Sequence, residues 1–478
     1  MKRSSPYINF VAVEIDDIVA FQKLAGGSIT KHFRNEELMY CYNDTSEPRP
    51  QHSQFTTKTT YELVKGDLPE PGSCDPVKIW LLTRHGPVYP STVNMGVDID
   101  ALTNLKGSIL AEATPAHPSL CDDDIELLKT WKLNENITQD SDSLTEQGRT
   151  RMIALAEEYK KAFAPLFDSP EKVKFRHTTE LRNNESFLAF ATALFNEDDL
   201  EKDADNNSLF KFYEECTEWN EKNDRIYESE SVLSQFEKSD KFKETIDEIL
   251  ARLGKSQSED KWKLVKNVWD MCRIDKALDV EHLSPWCTAF TEDQVNVLEY
   301  HEDIELYYKT GHGDKLNPPL ACKTVVDLID HLKSESTDDS TNAIVSFADA
   351  TTVQLFMTAL GTHEDTENPS NVSVIENRKW RSSQMSPFAS NVAVVKYDCS
   401  GDDKVKIFLN QRLLTPVWDG CTDGVCEFSK FIEHFKSYTS VNCTDYFCGG
   451  SETSGKEKSL IGGGVLAATV SLILTYLL

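Results

Sequence analysis

Arg84-His85-Gly86-Pro87-Val88-Tyr89-Pro90 ends the apolar run Val77-Lys78-Ile79-Trp80-Leu81-Leu82-Thr83, and it is the stretch of this chain best equipped for chemistry. An imidazole can attack phosphorus, and a neighbouring guanidinium can hold phosphate oxygens. A lone histidine is more often structural, but an Arg-His-Gly run closing a buried strand is rarer. Strand ends in α/β folds are where chemistry is usually mounted. Two more polar groups have the same placement. Arg182 follows the strand-like run Lys174–Thr178, and Asp349 follows the strand-like run Ala343–Phe347. All three points can therefore converge on one crevice at the strand ends. A helix-start arginine such as Arg182 is also a common solvated residue.

The motif resembles the RHGxRxP signature of the histidine acid phosphatases. Arg84, His85, Gly86 and Pro90 match, whereas Val88 stands where the second arginine belongs. Within that group the chain is most similar to the multiple inositol polyphosphate phosphatases, from Phe55-Thr-Thr-Lys-Thr-Thr-Tyr-Glu62 to about Cys448. Trp286-Cys287, Leu298-Glu299-Tyr300, Gly311-His312-Gly313 and Pro387-Phe388-Ala389-Ser390-Asn391 look like further landmarks. The family's TDxxRTxxS element is similar to Thr178–Ser186, which makes Arg182 a phosphate-binding arginine by resemblance. The resemblance implies phosphomonoester hydrolysis through a phosphohistidine, with His85 as nucleophile and Arg84 and Arg182 on the phosphate. It implies no cofactor and no metal. The ligand it implies is phosphate or an inositol polyphosphate.

The third family element, F-A-H-A-E-T, reads here Phe347-Ala348-Asp349-Ala350-Thr351-Thr352. Asp349 takes the place of a phosphate-contacting histidine, and Thr351 the place of the proton-donating glutamate. Losing a cation aimed at transition-state charge costs about 10²–10³ in rate. A carboxylate at 349 repels phosphate, and threonine is no useful acid near neutral pH. The resemblance thus implies an enzyme with low or absent activity. One rescue is a protonated Asp349 that donates in the glutamate's stead. Two rival readings follow: an active acid phosphatase of altered specificity using His85, and an anion-binding or protein-interaction module on the same fold.

The elements that position these residues are legible from periodicity. Val77–Thr83, Lys174–Thr178 and Ala343–Phe347 read as strands, and Val392–Tyr397 and Val405–Leu409 as an antiparallel pair across a Ser-Gly-Asp-Asp turn. Met152–Phe167, Asn183–Phe195 and Thr352–Leu360 read as helices. The expected fold is α/β, of the histidine-phosphatase and phytase kind: a mainly parallel central sheet flanked by helices, with an inserted α-helical domain. The expected divisions are an irregular segment 1–54, core 55–195, helical insertion 196–285, core 286–448 with a cysteine-rich end, and a terminal signal 449–478.

The chain has 478 residues and a formal net charge of −29, with 39% hydrophobic residues, enough for a sizeable core. That acidity argues against nucleic acid as a partner. Twelve cysteines without a CxxC pair point to disulfides in an oxidising compartment, not to zinc. Connectivity cannot be deduced from sequence alone. Resemblance to the family's fold pairs Cys74 with Cys399, and further expected pairs are Cys272 with Cys287 and Cys443 with Cys448. Sequons at Asn43, Asn136, Asn184, Asn206, Asn371 and Asn442 agree with export. Gly449-Gly450-Ser451, a polar spacer and the uncharged tail Leu460–Leu478 form the pattern of a GPI-anchor signal, with attachment at Gly449. A spanning helix is the rival, but no Lys or Arg follows the tail. The expected location is the outer face of the plasma membrane, tethered to its outer leaflet. No signal peptide is visible in Met1–Tyr40, so the expectation is a misassigned or alternative start.

Overall fold

The computed structural model describes residues 50–444, apart from 70–71, 91–96, 113–119, 135–136, 138–141, 201–205, 282, 336–340, 368 and 370–374. Among the described residues eight strands form one sheet: β1 Asp75–Arg84, β2 Val173–His177, β3 Ala343–Ala348, β4 Asn391–Asp398, β5 Asp403–Leu409, β6 Arg412–Leu413, β7 Cys421–Thr422 and β8 Val425–Glu427. Their order is β2-β3-β1-β4-β5-β8-β7, with β6 also on β5. The sheet is mixed, and the expected parallel pairing holds for the half that carries the motifs, where β3 runs parallel to both β1 and β2. The other half is antiparallel, from β4 on β1 outwards. The cause is local. β4 and β5 are joined by a tight turn with Ser400 at φ 62° and Gly401 at φ 96°, and so short a connection can only reverse the chain.

β1 lies between β3 and β4 and is buried on both faces, which is why its sequence is almost continuously apolar. Ile79 and Leu81 join one core with Met152, Leu155, Phe187, Phe190 and Phe347. Trp80 and Leu82 face the opposite core, with Val325, Leu328, Val353 and Phe356. The first core is roofed by α1 Glu146–Ala162 and α2 Leu181–Leu194. α1 begins at Thr145, whose hydroxyl accepts from the Gly148 amide.

From Asn207 to Leu278 the described elements are all helical, ending with α3 Lys261–Leu278. α3 and α4 Glu292–Lys309 share a third core, in which Trp269, Val297 and Tyr300 meet Leu102 and Leu105 of the helix Ile99–Glu112. The helical layer therefore draws on chain from before β2 as well as after it. α5 Ala350–Ala359 follows β3 directly.

The disulfides Cys74–Cys399 and Cys272–Cys287 form as expected. The third expected pair is corrected. Cys443 bonds Cys322, with Cα atoms 5.7 Å apart, so a Cys443–Cys448 loop does not form. The helix Lys436–Thr439 packs back on Cys322–Lys333 and brings the two sulfurs together across the fold. Cys421–Cys426 closes the β7–β8 hairpin. Among the sequons, Asn442 is exposed, Asn184 is half-buried within α2, and Asn206 is buried, which argues against a glycan there. Asn43, Asn136, Asn371, Cys448, Gly449 and the apolar tail lie outside the described residues. Among the described residues no helix is long and apolar enough to cross a membrane.

Candidate active site

The C-terminal ends of β1, β2 and β3 open into one cavity of about 510 Å³. Register explains the convergence: Arg84 pairs with Ala348, and His177 with Phe347, so the chain leaves all three strands at one level. Arg84, His85, Val88, Arg182, Asp349 and Thr351 all line this cavity. The sequence placed each of them after a strand or in a motif, and the fold brings all six together.

The Arg84-His85 backbone is clamped from below. Arg84 donates its amide to the Ser390 carbonyl at 2.7 Å, and the Ala389 amide donates to the His85 carbonyl at 2.9 Å. Asn391 fixes that segment: its amide donates to Tyr61 Oη at 2.8 Å, and its Oδ1 accepts from Tyr159 Oη at 2.8 Å. The landmark Pro387–Asn391 therefore shapes the motif from behind. Gly86 passes so close to α1 that a Cβ would meet the Gly148 carbonyl oxygen at 2.9 Å.

His85 Nδ1 lies 2.8 Å from the Gly86 carbonyl, which can only accept, so Nδ1 carries the proton. Nε2 then holds the free lone pair, 3.8 Å from Asp349 Oδ1. Burial holds the His85 pKa well below the usual imidazole range, and Arg84 adds to that, so the ring is neutral. A neutral imidazole with a free Nε2 is the form that can attack phosphorus.

Arg84 is buried. Its Nη1 donates to the Thr57 carbonyl and, at 2.9 Å, to the Ser386 carbonyl, and its guanidinium lies 4.4 Å from the Phe388 ring centroid. Burial lowers its pKa to about 9, which leaves it a cation at neutral pH. Its Nε has no protein partner among the described residues. The Thr57 carbonyl is presented by an unusual backbone. Thr56 sits at φ 52°, uncommon for a β-branched residue, and its hydroxyl bridges Glu302 at 2.6 Å and Arg273 at 2.8 Å.

The substituted positions rewire the other wall. Asp349 precedes α5 but makes no side-chain cap hydrogen bond to it. Its Oδ1 instead accepts from Arg182 Nε and Nη2, both at 2.8 Å, and its Oδ2 lies 3.6 Å from Lys211. Burial alone would raise the Asp349 pKa, but the Arg182 guanidinium that donates to it and the nearby Lys211 ammonium hold the carboxyl below its ordinary range. Asp349 is thus ionised, and the protonated-donor rescue finds no support. Lys211 also contacts Glu180 and, at 3.0 Å, Glu214. Val88 bridges to Leu144 and packs on the α1–α2 core, so an apolar side chain takes the place of a cation. Thr351 brings a hydroxyl and no acid.

Sequence reasoning missed two cations. Lys58 and Lys211 also line the cavity. Lys58 stood inside a recognised landmark, and its place beside the site was its only signal. Lys211 comes from the helical insertion, and no local pattern ties it to β3. Among the described residues the lining holds four basic side chains, Lys58, Arg84, Arg182 and Lys211, against the three carboxylates of Asp142, Glu214 and Asp349.

Known proteins are similar to this chain in sequence and in fold. The model of the histidine phosphatase superfamily (branch 2) matches residues 78–410. Multiple inositol polyphosphate phosphatase 1 of Drosophila melanogaster is 34% identical over 463 residues, covering 92% of this chain and 96% of the relative. Among solved structures, the phytase from D. castellii superposes with a TM-score of 0.65 at 15% identity, over 88% of this chain and 96% of that one. The Bifidobacterium longum multiple inositol polyphosphate phosphatase in complex with inositol hexasulfate superposes with a TM-score of 0.59 at 15% identity, over 79% and 96%.

Proposed function

This chain belongs to branch 2 of the histidine phosphatase superfamily, and from that premise we propose that it is an extracellular, GPI-anchored phosphomonoesterase impaired toward inositol polyphosphates. His85 is the nucleophile, and Arg84 and Arg182 are the phosphate-binding cations. The observation that carries the impairment is the Asp349 carboxylate on Arg182 and Lys211. Two cations that could meet a phosphate already meet an anion of the protein itself.

Two further deficits add to this. Val88 supplies no charge, and a missing donor to transition-state charge costs about 10²–10³ in rate. Thr351 supplies no proton, and a missing general acid costs about 10²–10⁴. These effects overlap and do not multiply freely. The surviving nucleophile and the surviving buried Arg84 support residual phosphate recognition rather than a purely structural role. Phosphate release from inositol hexakisphosphate by purified protein, with His85→Ala alongside, tests the reading. Wild type indistinguishable from His85→Ala supports it, and an ordinary enzymatic rate abolished by His85→Ala refutes it.

The anchor rests on the Gly449-Gly450-Ser451 triplet, the spacer and the uncharged tail. Disulfides within the described fold suit the same compartment. A phosphatidylinositol-specific phospholipase should release the protein from intact cells. Retention on the membrane, with the last ten or so residues still present, would mean a spanning tail instead.

A further inference from the structure

The cavity pairs a usable nucleophile with the lack of a strong proton donor, and that imbalance selects among substrates. A phosphoryl transfer to His85 needs a lone pair at Nε2, and the Gly86 carbonyl secures it by holding the proton on Nδ1. It also needs a fate for the departing oxygen. An alkyl oxygen leaves as a strong base and requires a proton in the transition state. The described lining offers poor sources. Asp349 is engaged by Arg182 and Lys211, Asp142 lies 3.8 Å from Arg182, and Glu214 is 3.0 Å from Lys211. Thr351 is an alcohol. Tyr213 keeps its phenol proton, raised above the usual range by burial and then by Asp349. Lys211 is held protonated by Glu180, Glu214 and Asp349 against the opposing effect of burial. Lys58, paired with Asp270 at 3.6 Å, is the remaining ammonium; burial first and Arg273 second lower its pKa, while Asp270 and Glu302 oppose them. An unperturbed ammonium or phenol is a weaker acid than a carboxyl by about six units, and the pairing of Lys58 with Asp270 favours its keeping the proton.

We propose that this site cleaves phosphoryl groups from oxygens that leave as stable anions, namely aryl phosphates, acyl phosphates and phosphoanhydrides, in strong preference to alkyl phosphates. The proposal rests on His85 being the nucleophile. The His85 Nε2 lone pair forms the N–P bond while the P–O bond breaks, its electron pair staying on the departing phenolate, carboxylate or phosphate oxygen. No proton has to be supplied. The intermediate is a phosphorylated imidazolium, since Nδ1 retains its hydrogen. Water then attacks phosphorus, the N–P pair returns to Nε2 as a neutral imidazole, and the water proton leaves with the product phosphate or to solvent. Imidazole is itself a good leaving group, so this second step also proceeds without an acid. Repulsion from Asp349 acts on the transferred phosphoryl group whichever oxygen departs. It therefore lowers all rates and leaves the ratio between leaving groups readable.

The test compares kcat/KM of the full protein on 4-nitrophenyl phosphate, phenyl phosphate, acetyl phosphate and glycerol 2-phosphate, for wild type, His85→Ala and Thr351→Glu, each with a thermal unfolding check. Wild type should turn over 4-nitrophenyl phosphate about 100-fold or more faster than phenyl phosphate, with acetyl phosphate also turned over and glycerol 2-phosphate at the His85→Ala background. Folded Thr351→Glu should narrow the aryl ratio to within about tenfold, because a carboxyl protonates the poorer leaving group. Folded wild type with no His85-dependent hydrolysis of 4-nitrophenyl or acetyl phosphate overturns this proposal and leaves the impaired reading standing. Comparable rates on the aryl and alkyl esters overturn both.

Discussion

A carboxylate at position 349 changes the charge of the site and also occupies its neighbours. Arg182 gives both Nε and Nη2 to one oxygen of Asp349. Removing only that charge, with shape retained, is the informative substitution. Asp349→Asn should release Arg182 from that carboxylate, remove the repulsion of phosphate and tighten inorganic phosphate binding about tenfold or more by calorimetry, since charge-assisted pairs are the strong ones. Unchanged or weaker binding in a folded variant would show that the phosphate does not use Arg182. At this scale the sequence was most readable where a motif sat beside a strand end: Arg84, His85, Val88, Arg182, Asp349 and Thr351 all line the cavity. Lys211 was not readable, because its approach to Asp349 depends on tertiary packing across 138 positions of chain, from 211 to 349.

Elements hold the site through a few close contacts. Gly86 touches the α1 backbone at Gly148, and α1 is fixed there by its Thr145 cap. Gly86→Ala should push the motif loop off α1 and cost about 1–3 kcal/mol, typical of overpacking a close contact. A denaturant midpoint equal to wild type would mean the loop yields freely. The helix Cys322–Lys333 offers a pH-dependent counterpart. His331 is buried under β1, and its Nε2 donates to the Ile79 carbonyl at 3.0 Å. Burial first and Lys78 second lower its pKa to about 4. The unfolded chain, with histidine near about 6.5, binds a proton between those values that the folded chain refuses. Stability from this residue is therefore intact above about pH 6.5 and lost as pH falls toward 4, by up to about 1.4 kcal/mol per pH unit. His331→Gln keeps a donor and removes the titration. The stability gap between wild type and His331→Gln should shift against wild type as pH falls from 6.5 to 4. A gap independent of pH in that window would contradict the account. Strands were legible to within a few residues, because two-sided burial gives β1 and β3 continuous apolar runs. The antiparallel half was readable only as the β4–β5 hairpin, since its pairing to β1 depends on a long return of the chain.

Across the whole molecule, the strongly negative chain presents a locally cation-rich cavity at the end of its parallel strands. The fold class followed from strands alternating with helices, the Cys74–Cys399 pair followed from resemblance, and Cys272–Cys287 was expected beside it. The Cys322–Cys443 bond did not, because no local spacing distinguishes a partner 121 positions away from one 5 positions away. The central claim concerns what remains when a phosphatase fold keeps its nucleophile and loses its acid and part of its cationic wall. The most direct measurement is phosphate release from inositol hexakisphosphate by wild type, His85→Ala and the triple variant Val88→Arg, Asp349→His, Thr351→Glu, each shown to be folded. The account predicts wild type at the His85→Ala background and the triple variant well above both, with single restorations giving far less than their combined effect. Wild-type turnover at an ordinary enzymatic rate, abolished by His85→Ala, would contradict it.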